Sequence, residues 1–289
     1  MRSFIDANAE TLPRIDRREP VLTYRQTNYP IHIACEIKLS KIYTPGPEWE
    51  GFEKRLNSFI SSDPANRLVY KLKKDRLLYR TEHLIPTKKD KRVPLLLVFG
   101  NPASHSITAK MFFSPKEDGK ENRFWKHLLR AAEIVDLALD EGLSTAERNK
   151  VRMDRLMALD YDSPFRIGLC VYFSMPSSAG GAWSGVAGIR KLLGRKAFDH
   201  LADDERVRIF NDARRFLHPG GIAVVFQKDA WNGLRSRNDP PYSIQLARKG
   251  KLRGALQDCP HLPLWGIPPT RLLGPAREVL ARLIRTLKF

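Results

Sequence analysis

The stretch VPLLLVFGNPASHS, residues 93–106, decides the fold class of this chain. Its first seven residues form a continuous apolar run, which is typical of a strand buried on both faces of a sheet. The run stops at Gly100-Asn101-Pro102, a turn that is followed by small hydrogen-bonding side chains. Loops at the carboxyl ends of parallel strands are where open α/β sheets hold ligands. We therefore expect this turn to form part of a binding site.

Strand and helix patterns alternate after this first run. Three more apolar runs, FRIGLCVYF (165–173), IAVVF (222–226) and LPLWGI (262–267), predict strands. Helices are predicted over 122–139, 204–217 and 275–287. Pro219 and Gly220 are expected to end the second helix. The acidic run 203–205 is expected at a helix N-terminus. The alternation predicts an α/β fold, with three α/β/α layers around a central, mostly parallel four-stranded sheet.

The first 90 residues lack this regular alternation. They contain one clear helical pattern, WEGFEKRLNSFISS at 49–62, and become basic towards residue 90. We expect residues 1–90 to be an N-terminal extension or lobe and residues 91–289 to be the α/β domain.

Positive charge dominates the composition. Fifty Lys and Arg against 32 Asp and Glu give a formal net charge of +18. The stretch 67–92 carries ten Lys or Arg against three acids, and a second basic stretch spans 235–253. Clustering of this kind favours a polyanionic partner over an evenly solvated basic surface. We expect the partner to be DNA, with Lys73, Lys74 and Arg76 on its phosphates.

Other features point to a protein of the cytoplasm without cofactors. No stretch has the length of an apolar membrane span, and residues 1–20 lack the apolar core of a secretory signal. Cys35, Cys170 and Cys259 are too far apart to form a recognisable metal or cluster motif. We expect no membrane, no metal, no iron–sulfur cluster and no cofactor.

Two strings are similar to segments of S-adenosylmethionine-dependent methyltransferases. FLHPGGIAVVF (216–226) resembles their helix that ends in Pro-Gly-Gly before a strand, and DPPY (239–242) matches the tetrapeptide of the amino-group DNA methylases. No Gly-x-Gly turn follows a predicted strand, however, and DPPY does not follow an apolar run. For these two reasons we treat a nucleic-acid methyltransferase as the alternative interpretation and not as the main one.

Four motifs in order resemble the uracil-DNA glycosylase superfamily. They are Gly100-Asn101-Pro102, then FFSP at 112–115, then NRFWK at 122–126, and finally LWGIPPTRLL at 264–273. The turn and NRFWK are closest to the mismatch-specific uracil/thymine branch, and the resemblance covers about residues 93–289. It implies base flipping, water-assisted hydrolysis of the N-glycosidic bond and a role in base excision repair.

The resemblance also implies roles for single residues. Asn101 lies where the family has its water-handling Asp or Asn, and Phe113, rather than Phe112, is expected to stack on the flipped base. Ser174 is the nearest counterpart of the base-reading side chain after the second strand. Arg271 is expected to supply positive charge, and Leu272 or Leu273 to fill the gap in the duplex.

The remaining expectations concern the turn itself and the choice of base. Base-binding residues are expected at Gly100, Pro102 and Ala103, and phosphate-binding residues at Ser104, His105 and Ser106. Ile267 or its neighbour occupies the place of the histidine that begins the classical second motif. Uracil, hydroxymethyluracil, hypoxanthine and xanthine all stay open as substrates. No lysine stands in the expected pocket, so we expect a monofunctional enzyme; a non-catalytic nucleic-acid-binding protein of this fold is the other alternative.

Overall fold

The computed structural model describes residues 19–115, 120–137, 139 and 142–287. Within these residues nine strands form one mixed sheet, in the order β1-β2-β4-β6-β5-β7-β9-β8, with β3 paired to β4. The strands are β1 (Leu22–Gln26), β2 (His32–Lys38), β3 (Lys71–Lys73), β4 (Arg76–Leu84), β5 (Val93–Phe99), β6 (Phe165–Val171), β7 (Ile222–Val225), β8 (Arg253–Leu256) and β9 (Cys259–Gly266).

Helices cover both faces of the sheet. They are α1 (Pro47–Ser61), α2 (Pro64–Val69), α3 (Ser104–Thr108), α4 (Thr145–Ala158), α5 (Gly185–Leu193), α6 (Arg195–Leu217), α7 (Lys228–Leu234), α8 (Ile244–Arg248) and α9 (Leu273–Arg285), with a 3-10 turn at Leu39–Lys41 and a π-helical segment at Phe124–Leu129. Alternate residues of β5 enter two cores: Leu96 and Val98 pack with α6, while Leu95 and Leu97 pack with α4 and α9. The α/β class predicted from the sequence is confirmed.

The sheet is larger than the four strands we predicted. The four predicted strands are all present and lie side by side and parallel, in the order β6-β5-β7-β9. Strands β1 to β4 add to one side of this group, and β8 adds to the other, all by antiparallel pairing. The extra strands are not continuous apolar runs, because polar and charged residues interrupt them, as in RLLYRTEHL of β4.

Two predicted helix features are wrong. The helix expected over 122–139 reduces to Phe124–Leu129, because Glu133 adopts a left-handed backbone with φ of 58° and Ala131 faces solvent. The acidic run 203–205 lies in the middle of α6 rather than at a helix start. Its members have specific partners instead: Asp204 accepts hydrogen bonds from the backbone N–H groups of Val21 and Leu22.

Glu205 and Arg208 form a fully buried ion pair on α6. The Arg208 guanidinium donates to a Glu205 carboxylate oxygen at 2.7 Å, and both side chains have no exposed surface. Arg208 also donates to the backbone carbonyls of Val171 and Tyr172 at 2.8 and 3.1 Å. The pair therefore ties α6 to the carboxyl end of β6.

The three cysteines, Cys35, Cys170 and Cys259, are all buried, and none of them forms a disulfide. In the described residues no helix is both long and apolar enough to cross a bilayer.

Removing one member of the ion pair should destabilise the fold strongly. Arg208→Leu leaves the Glu205 carboxylate buried and unpaired, which typically lowers the free energy of unfolding by about 3–5 kcal/mol. Arg215→Leu is the matched control, since Arg215 pairs with Asp212 on the same helix but its side chain is 74% exposed. Urea denaturation of the two variants checks the expectation. Equal stability of the two would show that the buried pair is not needed.

Two buried histidines should make the stability of the fold depend on pH. Burial lowers the pKa of His32 and of His83 to about 4, from an ordinary value of 6.5. Between pH 6.5 and 4 the unfolded chain therefore binds protons that the folded chain does not, so each histidine makes stability fall as pH falls, by up to about 1.4 kcal/mol per pH unit. Burial raises the pKa of Glu82 well above its usual range, and its contribution in this window has the opposite sign.

A histidine variant separates these contributions. His32→Gln should flatten the slope of unfolding free energy against pH between 6.5 and 5, by about 1 kcal/mol per unit relative to the parent. His261→Gln, at an exposed position, should leave the slope unchanged. Urea denaturation at several pH values measures both slopes, and an unaltered slope in His32→Gln would contradict a neutral buried His32.

Candidate functional site

Four chain segments meet at the carboxyl ends of the parallel strands. They are residues 100–104 after β5, 172–178 after β6, 226–227 after β7 and 267–272 after β9. Parallel strands place these ends at one edge of the sheet, which is the edge where ligands bind in open α/β folds. The predicted site residues of the Gly-Asn-Pro turn and of the second motif are therefore on the same edge.

The Asn101 side chain is held in one orientation by the loop after β6. Its Nδ2 donates to the Ser177 hydroxyl at 2.9 Å, to the Met175 carbonyl at 3.1 Å and to the Pro102 carbonyl at 3.3 Å. Two of these acceptors are carbonyls, so only the amide nitrogen can face them. The Oδ1 atom consequently points away from the loop and receives no hydrogen bond from a described residue.

Some backbone groups of the turn at residues 100–104 form hydrogen bonds within the protein, and others have no partner among the described residues. Ser177 donates its N–H to the Pro102 carbonyl at 3.0 Å and accepts at its own carbonyl from the N–H of Ser104 at 2.9 Å. The N–H groups of Asn101 and Ala103 donate to no described acceptor. Both residues are half-buried, so these two N–H groups can donate to water or to a ligand oxygen.

Gly100 allows the close approach of the loop after β7. A Cβ added at Gly100 would lie 3.0 Å from Cγ of Gln227, tighter than most real contacts. Gln227 is itself fixed, because its Oε1 accepts from the N–H of Ala230 at 2.7 Å and caps α7. Gln227 thus lies against the turn, although no motif in the sequence marks it as a site residue.

An aromatic group stands beside the turn. The ring of Phe113 stacks on Phe124 at 4.0 Å between centroids and meets Phe99 edge-on at 4.9 Å, and Phe99 stacks on Phe226. Phe112 is 1% exposed and belongs to the core, whereas Phe113 is half-buried. Of the two phenylalanines, Phe113 is the one with surface for a ligand.

Ser174 is sealed below the site. It has no exposed surface, and its hydroxyl bonds to Glu205 and, at 2.7 Å, to the Tyr79 hydroxyl. Its N–H also donates to Glu205 at 2.5 Å. The role of base reader that we predicted for Ser174 has no support in this geometry, because its hydroxyl is occupied in the core. Ser177, three residues later, is the loop side chain that reaches Asn101.

The serines predicted to bind phosphate are also buried. Ser104 is fully buried and donates to Oδ1 of Asn66 at 2.6 Å, and Ser106 is 4% exposed. Neither hydroxyl has room to contact DNA in this structure. His105, between them on α3, is half-buried and keeps some exposed surface.

The other side of the site comes from the loop after β9. Arg271 is exposed and Leu272 is half-buried, at the start of α9. Tyr242, part of the DPPY string, places its hydroxyl 3.3 Å from the Ile267 carbonyl. Burial raises the pKa of Tyr242, and the nearby Arg271 guanidinium opposes that shift. Tyr242 is thus a neighbour of the second motif, far closer than its sequence position suggested.

DPPY has a structural role at its first residue. The Asp239 carboxylate accepts the N–H of Ala255 at 2.8 Å, and the Pro240 carbonyl accepts the indole N–H of Trp231 at 3.0 Å. The string lies in the loop after α7 and not at a strand end. Nothing in this arrangement favours the methyltransferase alternative.

The lysines and arginine predicted to bind phosphate lie on and between β3 and β4. Lys73, Lys74 and Arg76 are all exposed at the turn between these strands, and Arg76 pairs with Glu36 at 2.9 Å.

In the described part of the chain no group of three or more His, Cys, Asp or Glu side chains is placed to hold a metal. No protein-family profile matches this chain, and no curated protein matches it either.

Proposed function

We propose that this protein is a monofunctional DNA glycosylase that removes a deaminated or oxidised base by water-assisted hydrolysis of the N-glycosidic bond. The observation that carries the proposal is the fixed Asn101 amide. Its Nδ2 is consumed by three acceptors, so Oδ1 is presented at the sheet edge beside two backbone N–H groups that have no acceptor among the described residues.

The amide sets the kind of catalysis. A carboxamide oxygen accepts a hydrogen bond from water but takes no proton at neutral pH. Asn101 therefore orients the attacking water towards C1′ of the sugar and leaves its proton for solvent. As the water oxygen bonds to C1′, the glycosidic bond breaks and its electron pair leaves with the base.

The leaving base needs a partner for its negative charge. The N–H groups of Asn101 and Ala103 are oriented donors that require no reorganisation during the reaction, and preorganised dipoles of this kind often account for most of the rate enhancement of an enzyme. A carbonyl oxygen of the departing base would accept from them. The substrate base is thus one with a carbonyl on its edge, a property that uracil, hydroxymethyluracil, hypoxanthine and xanthine share.

Phe113 supplies a face for the flipped base. One face of its ring is used by Phe124, and its half-buried state leaves part of the ring accessible. Flipped bases are commonly held by stacking on an aromatic side chain. Arg271, exposed after β9, would contact DNA phosphate, and the half-buried Leu272 beside it would fill the gap in the stack. None of the residues assigned to the pocket is a lysine, which favours hydrolysis without a Schiff base.

Asn101→Ala should abolish most base excision while DNA binding persists. A panel of oligonucleotides, each with one modified base, is incubated with protein and then treated with alkali to reveal abasic sites. The single-turnover rate on the preferred base should fall by about 100-fold or more, in the range typical for loss of one preorganised group. Asn211→Ala, at an exposed position on α6, is the matched control and should keep the parental rate.

Asn101→Asp should also lower the rate, for a reason specific to this geometry. The new carboxylate oxygen would face the Met175 and Pro102 carbonyls where Nδ2 now donates, and two acceptors cannot bond each other.

Excision at the parental rate by Asn101→Ala would refute the role of Asn101. Binding of every oligonucleotide with no abasic product from the parent protein would instead favour the non-catalytic alternative.

Phe113→Ala should weaken capture of the flipped base. Loss of one stacked base typically weakens binding by about 1–3 kcal/mol. Two affinities are measured: one for an oligonucleotide with the preferred base, and one for the same oligonucleotide in which that base is missing but the backbone is uncut. Phe113→Ala should reduce the first and spare the second; an equal loss on both would show that Phe113 serves the core alone.

A further inference from the structure

A basic groove lies on the exposed face of the antiparallel strands. Its space is about 520 Å³, and it crosses β1, β2, β4 and β3. Tyr24, Cys35 and Tyr79 stand in one row across the sheet, and their backbone forms the floor of the groove. Because side chains alternate along a strand, their neighbours on either side project into the groove. These neighbours are Thr23, Arg25, Ala34, Glu36, Leu78 and Arg80, with Lys71 and Lys73 at the β3 end.

The cations that line this groove outnumber its acidic residues. Arg25, Lys71, Lys73 and Arg80 are all exposed, and none pairs with a described carboxylate. Among the described residues that line the groove, Glu36 alone is acidic, and Arg76 already neutralises it at 2.9 Å. Four exposed like charges around one hollow repel one another, and a polyanion would relieve that repulsion.

The register gives the cations a regular spacing. Arg25, Ala34 and Arg80 form one cross-strand row, so the two arginines flank a small residue at about 10 Å across two strand spacings. Lys71 lies in the next row on this face, opposite Leu78, and Lys73 in the row after that, opposite Arg76. Successive rows are about 7 Å apart along the strands, which resembles the step between phosphates of an extended polynucleotide.

The floor suits the other parts of a nucleotide. At the centre of the groove Ala34 is small and Leu78 is half-buried, and Glu36, in the same row as Leu78, is paired with Arg76. A single strand can lie along such a floor with its phosphates on the rims. A duplex keeps its bases stacked inside the helix, so it could contact the cations through its phosphates but could not lay its bases on this floor.

We infer that this groove binds a single-stranded segment of nucleic acid through its phosphates. The inference goes beyond the proposed base excision and does not need it: it concerns affinity for unmodified strands. The groove is nonetheless at the same end of the sheet as Asn101, because β4 runs antiparallel to β6 and its first residues extend beyond the carboxyl end of that strand.

The experiment measures binding of an unmodified 15-nucleotide oligothymidylate, and of a duplex of the same length, over a range of salt concentrations. Arg25→Ala/Arg80→Ala removes two facing cations. For a single strand each lost phosphate contact lowers the log–log salt slope by about 0.7. The double variant should therefore bind the oligothymidylate with a slope lower by about 1.4 and, at 0.15 M salt, about tenfold more weakly.

The control removes two exposed cations at the opposite end of the sheet. Lys89→Ala/Arg214→Ala changes Lys89, before β5, and Arg214, at the end of α6. It should leave the oligothymidylate slope and affinity unchanged. Circular dichroism checks that both double variants are folded, which exposed positions should permit.

The outcomes separate this inference from the proposed enzyme. An unchanged slope in Arg25→Ala/Arg80→Ala, an equal loss in the control, or an equal loss on duplex and single strand would each overturn the groove. A protein that excises no base from any substrate, yet shows the predicted loss on oligothymidylate, would refute the glycosylase and support the groove.

Discussion

The buried ion pair of Glu205 and Arg208 is the interaction on which the candidate site depends. Two charges without solvent destabilise a fold unless their hydrogen-bonding capacity is filled. Here the carboxylate accepts from Arg208 and from both the N–H and the hydroxyl of Ser174. The guanidinium also binds the carbonyls at residues 171 and 172. These bonds offset much of the desolvation of the pair, although Nη1 of Arg208 is buried without a partner among the described residues, and they fix the first residues of the loop after β6.

The loop after β6 in turn holds the side chain of Asn101. Ser174 is followed directly by Met175 and then by Ser177, whose oxygens hold the Asn101 amide. Ser177 also accepts the N–H of Gly185 and so joins the start of α5 to the same loop. A carboxylate could not replace an amide held by carbonyls, since only a donor fits that side. In the proposed reaction Asn101 would therefore act as an oriented dipole and not by proton transfer.

The sequence predicted the parts of this molecule that rest on local patterns. VPLLLVF became β5 with the expected bounds, and the four parallel strands were found because strands buried on both faces are continuous apolar runs. The N-terminal strands were missed because one face is charged and exposed, so their apolar positions are interrupted. The helix over 122–139 failed because an apolar period does not report a left-handed residue such as Glu133.

The site was less predictable than the fold for the same reason. Asn101 was identified from a local turn and its resemblance to a family motif, but Ser177 is 76 residues away and has no motif of its own. Glu205 looked like a helix start because charge near a helix is commonly a cap; only the packing of α6 on β6 reveals its buried role. Long-range hydrogen bonds leave no periodic trace in a sequence, and here they determine the orientation of the Asn101 amide.

Tyr79 joins the two surfaces into one rigid unit. Its backbone forms the floor of the basic groove, and its hydroxyl reaches Ser174 at 2.7 Å beneath the candidate site. A second link runs from Ser104 through Asn66 on α2, the helix that leads into β3. Phosphate contacts position a nucleic acid and carry no sequence information. A strand held by Arg25 and Arg80 would consequently be placed at a fixed offset from Asn101, because Tyr79, next to Arg80 on β4, bonds to Ser174 of the same loop that holds the Asn101 amide.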